Sequence, residues 1–253
     1  MKDTINQTPK VVIAPRVGRI KPTVWLLIVI FILLFIPGVY LLFYNLEKYL
    51  QPLPDPAEKS YQFSFADDFS DSMASTARWQ LWSLNDKSVG SFSNGGLLLG
   101  SVSSGELSGS RLIFPTAVSG DFAIKVNIRE FELVGDSGNV HFGFRNEALS
   151  DGFGITLTNS QRKALHLGAI VTSADADKSV GVIDIDSKSN VVIKIIRRGR
   201  SVYFYVNDAL FASTGGAYDG QGKAVVSSGS YLPDFPKFKA VLDDFLISFD
   251  KSL

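Results

Sequence analysis

The chain has 253 residues, with 25 basic against 25 acidic side chains, two histidines (His141 and His166) and no cysteine. Disulfides, thiol nucleophiles and cysteine-based zinc sites are excluded outright, and two histidines are too few for a histidine-rich metal cluster. The balanced charge hides a split: residues 1–23 carry Lys2, Lys10, Arg16, Arg19 and Lys21 against Asp3 alone, whereas residues 45–253 carry 20 basic against 24 acidic groups.

Val24 to Tyr44 is a run of 21 residues without a charge. As a helix it would span roughly 31 Å, about the hydrocarbon thickness of a bilayer, so one N-terminal transmembrane helix is expected, with the lipid bilayer as its partner. Trp25 at one end and Tyr40, Tyr44 and Tyr49 at the other suit the two interfaces, and the Pro37-Gly38 pair is tolerated in spanning helices. The run exceeds the roughly 7–15 apolar residues of a cleaved signal peptide and no small-x-small site follows it, which points to an uncleaved anchor. The basic flank places the 1–23 tail in the cytoplasm and everything after the helix outside, giving a single-pass protein of the cell membrane.

Residues 45–60 contain prolines at 52, 54 and 56, which favour an extended stalk of roughly 3 Å per residue. From 61 to 253 the pattern is strand after strand. "FAIKVNI" alternates Phe122, Ile124, Val126 and Ile128 with Lys125 and Asn127, and "NVHFGFRN" alternates Val140, Phe142 and Phe144 with His141, Gly143 and Arg145. "NVVIKII" and "SVYFYVN" are joined by "RRGR", a hairpin turn around Gly199. The Ser/Gly-rich stretch 83–110 still contains the short strand-like runs "GGLLLGS" and "SRLIF", and no helical periodicity is evident beyond residue 61. The expected class is an all-β antiparallel β-sandwich.

The order F-x-D-D-F (Phe65 to Phe69), Trp79, "GGLLLG", "GFRN", "GFGITLTN", "VYFYVNDALFAST" and a terminal "LDDFLISF" resembles the concanavalin-A-like lectin/glucanase jelly rolls, especially the bacterial laminin-G-like and keto-disaccharide-hydrolase-like modules, over about residues 63–249. The resemblance implies that the first and last strands are neighbours in one sheet, which would place the two Asp-Asp-Phe segments side by side with Phe69 and Phe245 in the core. It also implies a possible structural calcium, for which Asp67, Asp68, Asp243 and Asp244 are the candidate oxygen ligands. A second acidic stretch imitates an EF-hand loop with Asp175, Asp177 and Ser179, but Gly181 falls one place late and Asp186 replaces the closing glutamate.

Glucanases of this fold carry alternate carboxylates on one strand, as E-x-D-x-E or E-x-D-x-x-E. The nearest match here, "REFELVGD" with Glu130, Glu132 and Asp136, lacks the middle aspartate. Ser160 and Lys163 match S-x-x-K only in a turn, and His141 with His166 offers at most one base without a nucleophile. No phosphate-binding or dinucleotide fingerprint occurs, and an outward-facing domain of net negative charge does not suit nucleic acid.

Binding is the better-supported activity. If "HFGFRN" and "VYFYVN" share a sheet, one solvated face joins His141, Arg145, Tyr203 and Tyr205 with Arg129, Asn127 and Lys194, an aromatic and hydrogen-bonding surface suited to sugar rings. Arg197, Arg198 and Arg200 of the turn are candidate contacts for anionic glycans or phosphates. The expectation is therefore a membrane-anchored lectin-like module that binds carbohydrate or cell-wall glycan. A protein-interaction or accessory subunit of a surface complex is the alternative, and an anchored glycoside hydrolase the third.

Overall fold

The computed structural model describes residues 55–56, 59–86, 88–93, 95–101, 108–133, 138–159, 165–174, 176–185, 190–230 and 238–252, together with Phe31 and Phe35. Phe31 and Phe35 are helical and their rings stack at 5.1 Å. The rest of the Val24–Tyr44 span lies outside the described residues, as do the 1–23 tail, Asp136, Ser160, Lys163, Asp175 and Asp186. Among the described residues no helix is long and apolar enough to cross a membrane. The chain divides into two compact units, Met1–Gln51 and Pro52–Leu253.

In the second unit the strands are numbered in chain order and form two antiparallel sheets. The first runs β13 (Ala209–Thr214), β12 (Ser201–Val206), β11 (Val191–Arg198), β6 (Val118–Leu133), β15 (Phe238–Ser252), β4 (Leu97–Ser101) and β3 (Ser88–Phe92), with β1 (Phe63–Asp67) also paired to β15. The second runs β10 (Ala176–Ile185), β9 (Leu165–Ser173), β8 (Gly152–Asn159), β7 (Gly138–Arg145), β14 (Lys223–Ser230), β5 (Ser108–Ile113) and β2 (Gln80–Ser83).

The alternation read from the sequence is what closes the sandwich. Val140, Phe142 and Phe144 of β7 and Val191, Ile193 and Ile195 of β11 are buried in one core, while their odd-phase neighbours face outward. Turn chemistry fixes the registers. Gly199 adopts φ 55° between β11 and β12, and Asn207 and Asp208 adopt φ 49° and 62° between β12 and β13, the two left-handed residues of a tight hairpin. At the sandwich edge, Gly181 of β10 lies so close to β13 that a Cβ there would come within 2.6 Å of the Ala212 methyl.

The two Asp-Asp-Phe segments are neighbours. β1 pairs antiparallel with β15, placing Asp67 opposite Phe245, and Phe69 and Phe245 are both buried against Trp79 at centroid separations of 5.8 Å and 4.7 Å. Each segment also marks a break in regular backbone. Phe69 has φ 57°, a conformation costly for a bulky residue, and Asp244 has φ 50° in a bulge where β15 slips against β6 between Asp243 and Leu246. The Asp67 carboxylate holds the first break in place. It accepts from the Phe69 N–H at 2.9 Å, the Ser75 hydroxyl at 3.0 Å and the Trp79 indole N–H at 3.0 Å.

Between these partners the structure adds an element absent from the sequence reading, helix α1 (Ser72–Arg78), capped by the Asp71 side chain accepting from the Ala74 N–H. Two turns are too short to show a period of 3.6 in the sequence.

Asp67→Ala leaves three donors facing a void, so it should cost on the order of 3 kcal/mol or more in denaturant unfolding. Asp68→Ala, at an exposed carboxylate whose hydrogen bonds among the described residues come from Ser70, should leave the unfolding midpoint nearly unchanged.

Candidate functional site

The five residues expected on one binding face are divided between the two sheets. His141 and Arg145 stand on β7 of the second sheet, whereas Tyr203 and Tyr205 stand on β12, and Arg129 on β6, of the first. The strand phase was read correctly, since Phe204 points inward between the tyrosines, but their face is not open: Tyr203 is 8% and Tyr205 2% exposed.

The segment expected to be a stalk accounts for Tyr205. Along its described residues it lies on the first sheet, with Tyr205 donating to Asp55, the Lys59 ammonium bridging Asp121 and Asp250, and Arg198 donating to the Tyr61 hydroxyl. Lys194 sits 4.6 Å from the Tyr205 ring centre. Burial, then the Asp55 carboxylate, raise the Tyr205 pKa, so its hydroxyl stays a donor. Arg129 is engaged as well. It donates to the Gly95 carbonyl at 3.0 Å and lies 3.6 Å from Asp243, tying the β3–β4 turn to the β15 bulge.

The turn arginines are likewise engaged. Arg197 is fully buried, donating to the carbonyls of Gly120 and Gly220 and packing over Phe122 and Phe144, while Arg200 pairs with Asp219 at 3.4 Å.

The outer face of the second sheet is different. Its register aligns Trp82, Arg111, Ser227, His141, Thr156 and Gly168 in one row across β2, β5, β14, β7, β8 and β9. A parallel row places Arg145 opposite Gly152, then Thr172, then Asp177. Between the two rows Gly143 faces Gly154. A Cβ on Gly154 would lie 2.4 Å from the His141 ring, and one on Gly143 2.9 Å from it. The paired glycines therefore form a floor on which the imidazole lies flat. The result is a recess of ≈ 270 Å³ lined by His141, Arg111, Arg145, Thr156, Thr172 and Asp177 among others.

His141 is buried, with Nδ1 3.4 Å from the Thr156 hydroxyl and Nε2, which faces the glycines and has no accessible surface, without a partner among the described residues. Burial, reinforced by the charge of Arg145 and opposed by Asp177, lowers its pKa to about 3, so the ring is neutral at physiological pH. Trp82, 51% exposed, continues the face at the sheet edge, with the Arg111 guanidinium 5.7 Å from its ring centre. Sequence reasoning missed Trp82, Arg111 and Thr156. The signal available was "QLWS", an aromatic on a short outer strand, but strand order was needed to set it beside His141.

The other expected sites are not assembled. Among the described residues no group of three or more His, Cys, Asp or Glu side chains is placed to hold a metal ion. Asp67 is saturated by its three donors, Asp68 serves Ser70, and Asp244 is exposed in the bulge. Asp243 lies opposite Asn127, each with a buried oxygen that has no partner, and burial followed by the Asp244 charge raises the Asp243 pKa. The EF-hand-like stretch is strand, not loop: Ser179 and Gly181 belong to β10, and Asp177 accepts from the Thr172 hydroxyl. Glu130 is on the first sheet, 2.6 Å from Lys239. His166 pairs with Asp184 at 2.6 Å, apart from the His141 recess.

Against solved structures the chain is similar in fold to the carbohydrate recognition domain of Emp47p, at 12% identity over 79% of this chain and 100% of that one, with a TM-score of 0.54. It is similar to the endo-β-1,3-glucanase from Pyrococcus furiosus, at 13% identity over 75% and 94%, TM-score 0.55. A third is a structure from work on endo-acting O-glycanases of human gut microbiota, at 12% identity over 76% and 100%, TM-score 0.57. At such identities the likeness speaks for the fold, a concanavalin-A-like β-sandwich. No protein-family model matches the sequence, and no curated protein matches it either.

The depressed His141 pKa makes stability pH-dependent in a defined direction. Between about 6.5, where the unfolded imidazole takes up a proton, and about 3, the unfolded state binds more protons, so stability is lost as pH falls through this window. Thermal melts from pH 7 to pH 4 should show a falling midpoint that is flatter in His141→Gln, where the titrating ring is gone.

Proposed function

We propose that residues 52–253 bind carbohydrate in the His141 recess without cleaving it, and that residues 24–44 anchor the chain in a membrane with this domain on the extracytoplasmic side. The binding reading is carried by the recess itself: a polar hollow that combines hydroxyls and guanidinium donors beside the buried His141 ring, with the exposed Trp82 farther along the same face next to Arg111. Sugar rings present C–H faces that pack on aromatics and hydroxyls that need both donors and acceptors, which matches this mixture. The fold shared with a carbohydrate recognition domain and with enzymes named for glycans supports the ligand class.

Binding is favoured over hydrolysis because the described residues of the lining include one carboxylate, Asp177. Glycoside hydrolysis ordinarily uses a pair, about 5–9.5 Å apart. Asp177 is also already engaged by Thr172 and lies 3.8 Å from Arg145. The anchor reading rests on the uncharged stretch and its basic flank.

The test is a glycan array probed with the full chain in detergent. Trp82→Ala and His141→Ala should each reduce retention of the bound glycans at least tenfold, whereas Tyr205→Phe, on the covered face of the other sheet, should not. Equal retention by all variants would place the site elsewhere. For topology, protease added outside intact cells should digest residues 52–253 and spare the N-terminal tail; protection of the whole chain would reverse the orientation.

A further inference from the structure

The arginines of the domain fall into two groups. Arg129, Arg197, Arg198 and Arg200 each have a carboxylate, carbonyl or hydroxyl partner on their own side of the fold. Arg111 and Arg145 both line the recess. The Arg111 guanidinium lies 5.7 Å from the Trp82 ring centre and has no ion-pair partner among the described residues. The planar guanidinium carries several N–H donors for an oxyanion. Arg145 is steadied by Asp177 at 3.8 Å, but the Asp177 side chain is 55% exposed and its charge is screened by solvent. With His141 neutral, the described residues of the lining carry two positive charges against one negative, on a segment, 45–253, whose overall balance is negative.

We infer that the recess takes an acidic saccharide, one bearing a carboxylate or sulfate group, with Arg111 and Arg145 receiving the anion beside the buried His141 ring. This rests on the carbohydrate-binding reading above and adds the charge class of the ligand. The planar fork of a guanidinium matches the paired oxygens of a carboxylate or sulfate, and two of them on either side of a neutral imidazole give a point of charge recognition within a polar surface. Trp82 is placed to pack the ring of the adjoining residue.

The experiment measures binding of the full chain in detergent to oligosaccharides in matched pairs: oligogalacturonate and its methyl ester, and a sulfated oligosaccharide and its desulfated form. The acidic member of at least one pair should bind at least tenfold more tightly than its neutral twin, and the pair that responds identifies carboxylate or sulfate. Arg111→Gln and Arg145→Gln should each remove most of that difference. Arg200→Gln, which deletes the same charge beside Asp219, should leave it intact. If neutral and acidic twins bind alike, or if Arg200→Gln costs as much as Arg111→Gln, the acidic assignment falls while carbohydrate binding stands. If the array and every pair fail to bind to wild type, the carbohydrate reading falls and takes this inference with it.

Discussion

The last strand holds this domain together. β15 lies inside its sheet, with β6 along one edge and β4 followed by β1 along the other, so it joins residues from the beginning, middle and end of the domain. The first sheet cannot be completed until residues 238–252 arrive. Contacts of such sequence separation are entropically expensive to form, and folding is correspondingly slow and cooperative. The aromatic cluster around Trp79, Phe69, Phe245 and Phe114 is where the three regions meet, and the Asp67 carboxylate ties the tryptophan and the left-handed Phe69 backbone to that junction.

The two faces of the sandwich are then used differently. On the first sheet the outward tyrosine Tyr205 is covered by the chain that precedes β1, and Arg129 is tied to the Gly95 carbonyl and lies beside the Asp243 carboxylate. On the second sheet the paired glycines Gly143 and Gly154 make room for the His141 ring, and a polar recess opens beside it.

Much of the fold was legible in the sequence, because a period of two is written into each strand: Phe142 and Phe144, Ile193 and Ile195, and Phe204 all point where alternation put them. The neighbouring of the two Asp-Asp-Phe segments was also legible, by resemblance. Alternation, however, gives only the face of a strand and not the sheet to which it belongs. His141 and Tyr205 therefore looked like partners although β7 and β12 lie in different layers. Nor does outward phase mean exposure, because covering depends on a proline-containing segment whose landing place has no periodic signal. The aspartates show the same limit. Their pairing suggested metal ligands, but one carboxylate was needed to hold an indole and a strained backbone, and another to occupy a left-handed bulge.

The attachment of residues 55–61 to the first sheet has a mechanical side. Lys59 grips Asp121 and Asp250, and Tyr61 takes the Arg198 guanidinium, immediately before β1 begins. A load travelling along the backbone from residue 54 meets these bonds before it reaches Phe63. Pulling must therefore undo the clasp before it can begin to strip β1 from β15. In a pull from the N-terminal side, surface ion pairs would therefore give way ahead of the strand pairing that closes the sandwich.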